Sequence, residues 1–290
     1  MRSVLFFVSF EIACCNSCLF SGSTLAITSS KMITMRIPDA LRLRGARVFF
    51  GGQDSFGSIK ENGIQIAEKI IELTENGSAD KLNLIAHSKG GLDARYAVSM
   101  CGISAKTVTL TTIATPHRGI RSIDIMKRKR KRAIKGLLWI FNTMIRAGGG
   151  HRPESNDEYE KLSCDYMDVF NQYVKNASGV YYQSYAFDMK NMRTDIAFAL
   201  FYGIVKMHSG RNDGIVDVES AKWGDFKGII TGPGKKGISH SMAVDRRGKS
   251  IAFADIDPIS YETPDGRVIE YTDIVDLYVN IVSELKEKGY

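Results

Sequence analysis

Ser88 stands in the surroundings that a nucleophilic serine needs. The run Leu84-Ile85-Ala86-His87-Ser88-Lys89-Gly90-Gly91 passes from an apolar, strand-like stretch through small residues into a helix-like one. A serine on so sharp a turn is held in a strained backbone conformation. Small residues two before and two after it prevent clashes while Oγ projects beyond the strand. Ala86 and Gly90 fill those positions. The Lys89 peptide N–H opens the following helix and faces the same space, where it could stabilise an oxyanion. A glycine-rich helix start with an incidental serine is the plainer reading, and the strand and helix context argues against it.

Serine at neutral pH is a weak nucleophile, so a histidine must take its proton and an acid must orient that histidine. After a serine elbow of this kind the acid and then the base follow in chain order. The chain has five histidines, of which His117, His151, His208 and His240 follow Ser88. Asn212-Asp213-Gly214-Ile215-Val216 supplies an acid in a tight turn, and only His240 lies beyond it. Asp213 could equally be a turn former beside glycine, with Asp217 as the reserve acid. His87 and His117 are read as structural, donating to loop carbonyls. A Ser88–Lys89 dyad is disfavoured because adjacent side chains diverge at an elbow.

The elements that would position these groups alternate. Residues 36–44 predict a helix ended by Gly45, and 46–50 a short strand. Ser58 to Glu61 matches a capping box, opening an amphipathic helix through Ile66, Ile70 and Leu73 that Asn76-Gly77 stops. Strands are expected at 82–86, 107–114 and 180–187 and near 228–231, with helices over 91–100 and from Asp273 onward. This order predicts an α/β fold with a mostly parallel central sheet and helices on both faces. After Gly119 the rhythm breaks into an insertion that holds Gly148-Gly149-Gly150 and an apolar segment.

At 290 residues, 44% of them hydrophobic, one core suffices for the chain. The net charge of +7 resides in the run Lys127 to Arg132 with Lys135, so no general nucleic-acid face is expected. Cys14, Cys15, Cys18, Cys101 and Cys164 form neither a disulfide framework nor paired zinc ligands. The first ten residues have a weak signal-like character until Glu11 interrupts them, leaving a cytoplasmic or a secreted location open. No stretch is long and apolar enough to span a bilayer.

Several motifs together resemble the bacterial triacylglycerol lipase and esterase family of the α/β-hydrolase superfamily, Gram-positive type. They are Arg36 to Leu41, Phe50-Gly51-Gly52-Gln53-Asp54, Ala86 to Gly91, Thr115-Pro116-His117-Arg118-Gly119, Val180 to Ala186, Asn212-Asp213-Gly214, Ala221-Lys222-Trp223-Gly224 and Gly237-Ile238-Ser239-His240. The resemblance implies an α/β-hydrolase domain over 36–290 after a divergent segment 1–35, and a triad of Ser88, Asp213 and His240 hydrolysing acyl esters. It also implies a helical lid at about 120–165, where Lys127, Arg128, Leu137, Leu138, Trp139 and Phe141 would meet a lipid–water interface. The family's first strand ends in His-Gly, which is absent here, and spacing puts Ser23 N–H in the place of the second oxyanion donor. Relatives carry an aspartate of a calcium site two residues after the base. This chain has Met242 there, so no metal and no cofactor are expected.

The leading reading is a carboxylic ester hydrolase acting through an acyl-enzyme on lipid or small-molecule esters. Two readings from other classes remain: a non-catalytic lipid-binding protein with a defective oxyanion hole, and a membrane-surface module recruited by the basic run.

Overall fold

Residues 4–9, 36–52, 57–128, 160–245 and 258–290 are described in a computed structural model of the chain. Its strands are β1 (Val4–Ser9), β2 (Arg47–Phe50), β3 (Leu82–His87), β4 (Thr107–Ile113), β5 (Tyr181–Phe187), β6 (Asp225–Thr231), β7 (Ile259–Glu262) and β8 (Val268–Tyr271). They form one sheet in the order β2-β1-β3-β4-β5-β6-β7-β8. Neighbours from β2 through to β6 pair in parallel, and β7 and β8 continue the sheet antiparallel.

A parallel sheet needs cover on both faces because its crossovers run over them. Residues in β3 alternate accordingly: Leu82, Leu84 and Ala86 pack beneath α2 (Ile59–Glu75) and α3 (Lys89–Met100). Ile85 points the other way, into the core shared with α1 (Arg36–Leu43) and the C-terminal helix α8 (Ile274–Glu287). Between these lie α4 (Arg121–Arg128), α5 (Cys164–Tyr173), α6 (Ala199–Ser209) and the single turn α7 (Val218–Ala221). The α/β-hydrolase architecture expected from sequence is thus present.

Local signals act where they were read. Ser58 caps α2 through the Glu61 amide while the Glu61 side chain reaches back to the Ser58 amide. Asp273 caps α8 through Val275 N–H. A clasp joins the two helices on this face: the Arg36 guanidinium donates to Asp245 at 2.7 and 2.8 Å and to Asp273 at 2.8 Å.

The N-terminus requires a correction. Val4–Ser9, read as signal-like and set apart with segment 1–35, is a strand between β2 and β3, with Val4 opposite Arg47 and Ser9 opposite His87. A short apolar, β-branched and aromatic run satisfies both descriptions, and only its two sheet neighbours distinguish them. Ser23 lies outside the described residues, well beyond the end of β1 at Ser9.

The insertion leaves and rejoins the body at one place. Ile120 N–H donates to Leu162 O at 2.7 Å, and a Cβ on Gly119 would lie 2.6 Å from the Cys164 backbone. Lys127 and Arg128 belong to the last turn of α4. Leu137, Leu138, Trp139 and Phe141 lie outside the described residues.

Candidate active site

β3 ends and α3 begins at Ser88, which adopts φ 55° and ψ −135°. A non-glycine residue holds such a backbone only when its surroundings fix it. Ser88 N–H donates to Ile113 O at 2.9 Å, tying the elbow to the end of β4, and Gly91 N–H donates to Ser88 O at 3.0 Å. Gly91 cannot be larger, since its Cβ would lie 2.1 Å from Thr115 Oγ1. The Lys89 amide sits in the first turn of α3, where no intrahelical acceptor exists, and so can meet a developing anion.

His240 follows β6 on a loop whose backbone is pinned to the acid turn, its N–H donating to Asp213 O at 2.8 Å. Its Nε2 lies 2.7 Å from Ser88 Oγ and its Nδ1 2.7 Å from Asp213 Oδ2. All three side chains are buried, so water does not compete for these bonds. The Asn212-Asp213-Gly214 turn is built from its own side chains. Asn212 Oδ1 accepts from Gly214 N–H at 2.9 Å, and Asp213 Oδ1 accepts from the amides of Ile215 and Val216 at 2.9 and 2.8 Å. Asp213 thus keeps one oxygen for the backbone and the other for His240. Gly214 holds φ 103°, and a Cβ there would lie 2.7 Å from Phe198 Cβ. The reserve acid Asp217 instead caps α7 through Ser220 N–H at 2.9 Å, and burial raises its pKa.

The other residues singled out by sequence separate into distinct roles. His87 Nε2 lies 3.1 Å from the His240 carbonyl, and burial, then the nearby His240, hold its pKa well below the usual value. Neutral His87 therefore donates there and supports the loop that carries His240. His117 does not meet a carbonyl as expected. Its Nδ1 accepts from Arg95 Nη1 at 3.2 Å, so its proton sits on Nε2, 3.0 Å from Thr112 Oγ1. Burial and then Arg95 depress its pKa strongly. The Lys89 side chain turns away from Ser88 to the buried Asp93 carboxylate, at 2.9 and 3.0 Å. Burial raises Asp93 to about 6 despite this ammonium, and Asn62 Nδ2 adds a bond at 2.8 Å.

Two contributors were not found from sequence. Asp195 Oδ2 accepts from Ser239 Oγ at 2.7 Å and Ser241 Oγ at 3.1 Å, the residues on either side of His240. Arg95 is buried with its guanidinium 3.5 Å from the Trp223 ring, donating to Asn171 Oδ1 and the Val174 carbonyl as well as to His117. Burial lowers its pKa to about 9. These links span long sequence separations and leave no local pattern.

No group of His, Cys, Asp or Glu among the described residues could hold a metal ion. Asp245, near the loop that carries His240, is engaged by Arg36.

Residues 48–132 match the family described as "Putative serine esterase (DUF676)". Triacylglycerol lipase 2 of Saccharomyces cerevisiae is 28% identical over 258 residues, covering 86% of this chain and 72% of the yeast protein. Triacylglycerol lipase of Pseudarthrobacter phenanthrenivorans is 32% identical over 104 residues, covering 35% of this chain and 32% of its own. Among solved structures, mature Bacillus licheniformis lipase BlEst2 matches with TM-score 0.60 at 18% identity, over 84% of this chain and 86% of that one. The metagenomic carboxyl esterase MGS0156 gives TM-score 0.61 at 22% identity, over 86% and 68%. The chain thus has the α/β-hydrolase fold of these solved lipases and esterases, and over most of its length it is similar to carboxylic ester hydrolases.

Proposed function

We propose that the protein cleaves lipid carboxylic esters by acyl transfer through Ser88, with His240 as general base and Asp213 as the acid that orients it. The observation that carries this reading is the continuous contact from Asp213 Oδ2 through the imidazole to Ser88 Oγ, 2.7 Å at each step. Asp213 can only accept, so Nδ1 carries the imidazole proton and Nε2 is left to accept from the serine hydroxyl.

In the first half-reaction Ser88 Oγ bonds to the ester carbonyl carbon and its proton passes to His240 Nε2. The carbonyl oxygen becomes an oxyanion facing the Lys89 N–H. When the tetrahedral species collapses, the ester C–O bond breaks and the leaving alkoxide takes the proton from His240, giving an alcohol and an acyl ester on Ser88. Water then attacks that ester, His240 again takes and returns a proton, and a carboxylic acid leaves. Asp213 orients His240 and stabilises the transient imidazolium.

The experiment is hydrolysis of p-nitrophenyl esters of short and long acyl chains by the protein and by Ser88→Ala and His240→Ala. Turnover abolished in both variants supports the serine mechanism, and preference for long chains supports a lipid substrate. A folded wild-type protein without turnover would overturn the reading in favour of a non-catalytic lipid-binding protein.

A further inference from the structure

Between β5 and the acid turn, the chain presents an apolar stripe to solvent. Ile196 in the 3-10 turn Ile196–Phe198, then Leu200, Ile204 and Met207 of α6, recur at three- and four-residue intervals and share one face. Ile196 is 85% exposed, Met207 76% and Leu200 49%. Exposed Met192 extends the stripe by lying over Gly203, with its Cε 3.7 Å from where a Cβ on that glycine would sit. The opposite face, Phe198, Phe201, Tyr202 and Val205, is buried. A helix apolar on both sides has one side too many for a chain that only folds on itself.

The border of this stripe is cationic. Arg193, Lys206, Lys235 and Lys236 are exposed and form no ion pair among the described residues. Asn191 donates to the Lys235 carbonyl, and Lys190 Nζ donates to the Gly232 and Gly234 carbonyls, so the loops carrying these cations lie side by side. Neighbouring carboxylates are engaged, Asp188 by Arg211 and Asp195 by Ser239 and Ser241. Beneath the stripe, the Phe198 ring meets the His240 ring edge-on at 6.4 Å between centroids.

We propose that this face docks the protein onto an anionic lipid bilayer, bringing ester substrates to the Ser88 site; the inference rests on the proposed function. Apolar side chains flanked by unpaired cations are what the boundary between acyl chains and anionic headgroups recognises. A second copy is a poorer occupant, because a two-fold pairing would set the cationic rims against each other.

The test uses Ser88→Ala protein, so that binding is read without turnover. Co-sedimentation is measured with phosphatidylcholine vesicles, with and without phosphatidylserine, at low and high salt. The expected result is salt-sensitive binding to the phosphatidylserine vesicles. It should be lost in Ile196→Ser/Leu200→Ser/Met207→Ser and fall at least roughly 30-fold in Arg193→Glu/Lys235→Glu/Lys236→Glu. In the Ser88 background the same surface variants should hydrolyse p-nitrophenyl butyrate like wild type, which also shows that they fold. Absent binding, equal binding to neutral vesicles, or binding lost only in Lys127→Glu/Arg128→Glu would overturn the proposal. So would a wild-type dimer that the surface substitutions split. Failure of wild type to cleave soluble esters would count against the proposed function alone, leaving the vesicle result to stand separately.

Discussion

Ser88 holds φ 55° because β3 runs into α3 without an intervening loop, and the same turn that strains the backbone lifts Oγ toward His240. Under the proposed mechanism, Ser88→Ala should leave stability near wild type and lower kcat by roughly 10⁶-fold, and Asp213→Asn by roughly 10⁴-fold, since each removes a member of the proposed triad. Asp195 holds the two serines that flank His240, and under the proposed mechanism it would position the base through them. Asp195→Ala should lower kcat roughly 10- to 100-fold on a soluble ester with KM unchanged. Ser239→Ala/Ser241→Ala should reproduce that loss, and adding Asp195→Ala should deepen it no further; parallel losses in KM and melting temperature would contradict the role. At this scale Ser88, Asp213 and His240 were legible, because chain order and a shortage of histidines left few choices. Asp195 was not, because its partners lie 44 and 46 positions away.

Among the elements, α3 carries two constraints that can be tested separately. Gly91→Ala should destabilise the fold by about 1–3 kcal/mol in urea titrations, since its Cβ would overlap Thr115. The Lys89–Asp93 pair should behave as a buried ion pair: Lys89→Met should cost about 3–5 kcal/mol at pH 7, and Lys89→Met/Asp93→Asn much less. The pH dependence has a definite sign. Asp93 has its pKa raised to about 6 from 3.8, so the folded state takes up a proton before the unfolded chain does. Its contribution to stability grows as pH falls from about 6 toward 3.8 and is lost as pH rises through 6. Urea titrations across that window should show this component in wild type and not in the double variant. Elements with a one-sided apolar pattern or a cap, such as α2 and α8, were readable. α6 was not, because its outer face is apolar too and hides the period. The β7–β8 hairpin did carry a signal, Thr263-Pro264-Asp265-Gly266, and α5 carried Met167, Phe170 and Val174 at helical spacing behind the Ser163 cap.

Across the whole molecule, the Arg36 clasp joins α1, the segment after the base and α8. Arg36→Ala should lower stability by about 1–3 kcal/mol, a loss that shrinks at high salt because the guanidinium is partly exposed. The mostly parallel character of the sheet was readable from alternating strands and helices, but not its strand order or the place of β1, since sequence alone does not say which strands flank a short apolar run. That place governs how the protein is made. Val4–Ser9 leaves the ribosome before either of its partners, Arg47–Phe50 and Leu82–His87, which are synthesised far later. Both backbone edges of this segment must wait unpaired during translation, when they are open to any other extended chain. Yield in cells should therefore respond to translation speed and chaperone supply more than the finished fold's stability would indicate.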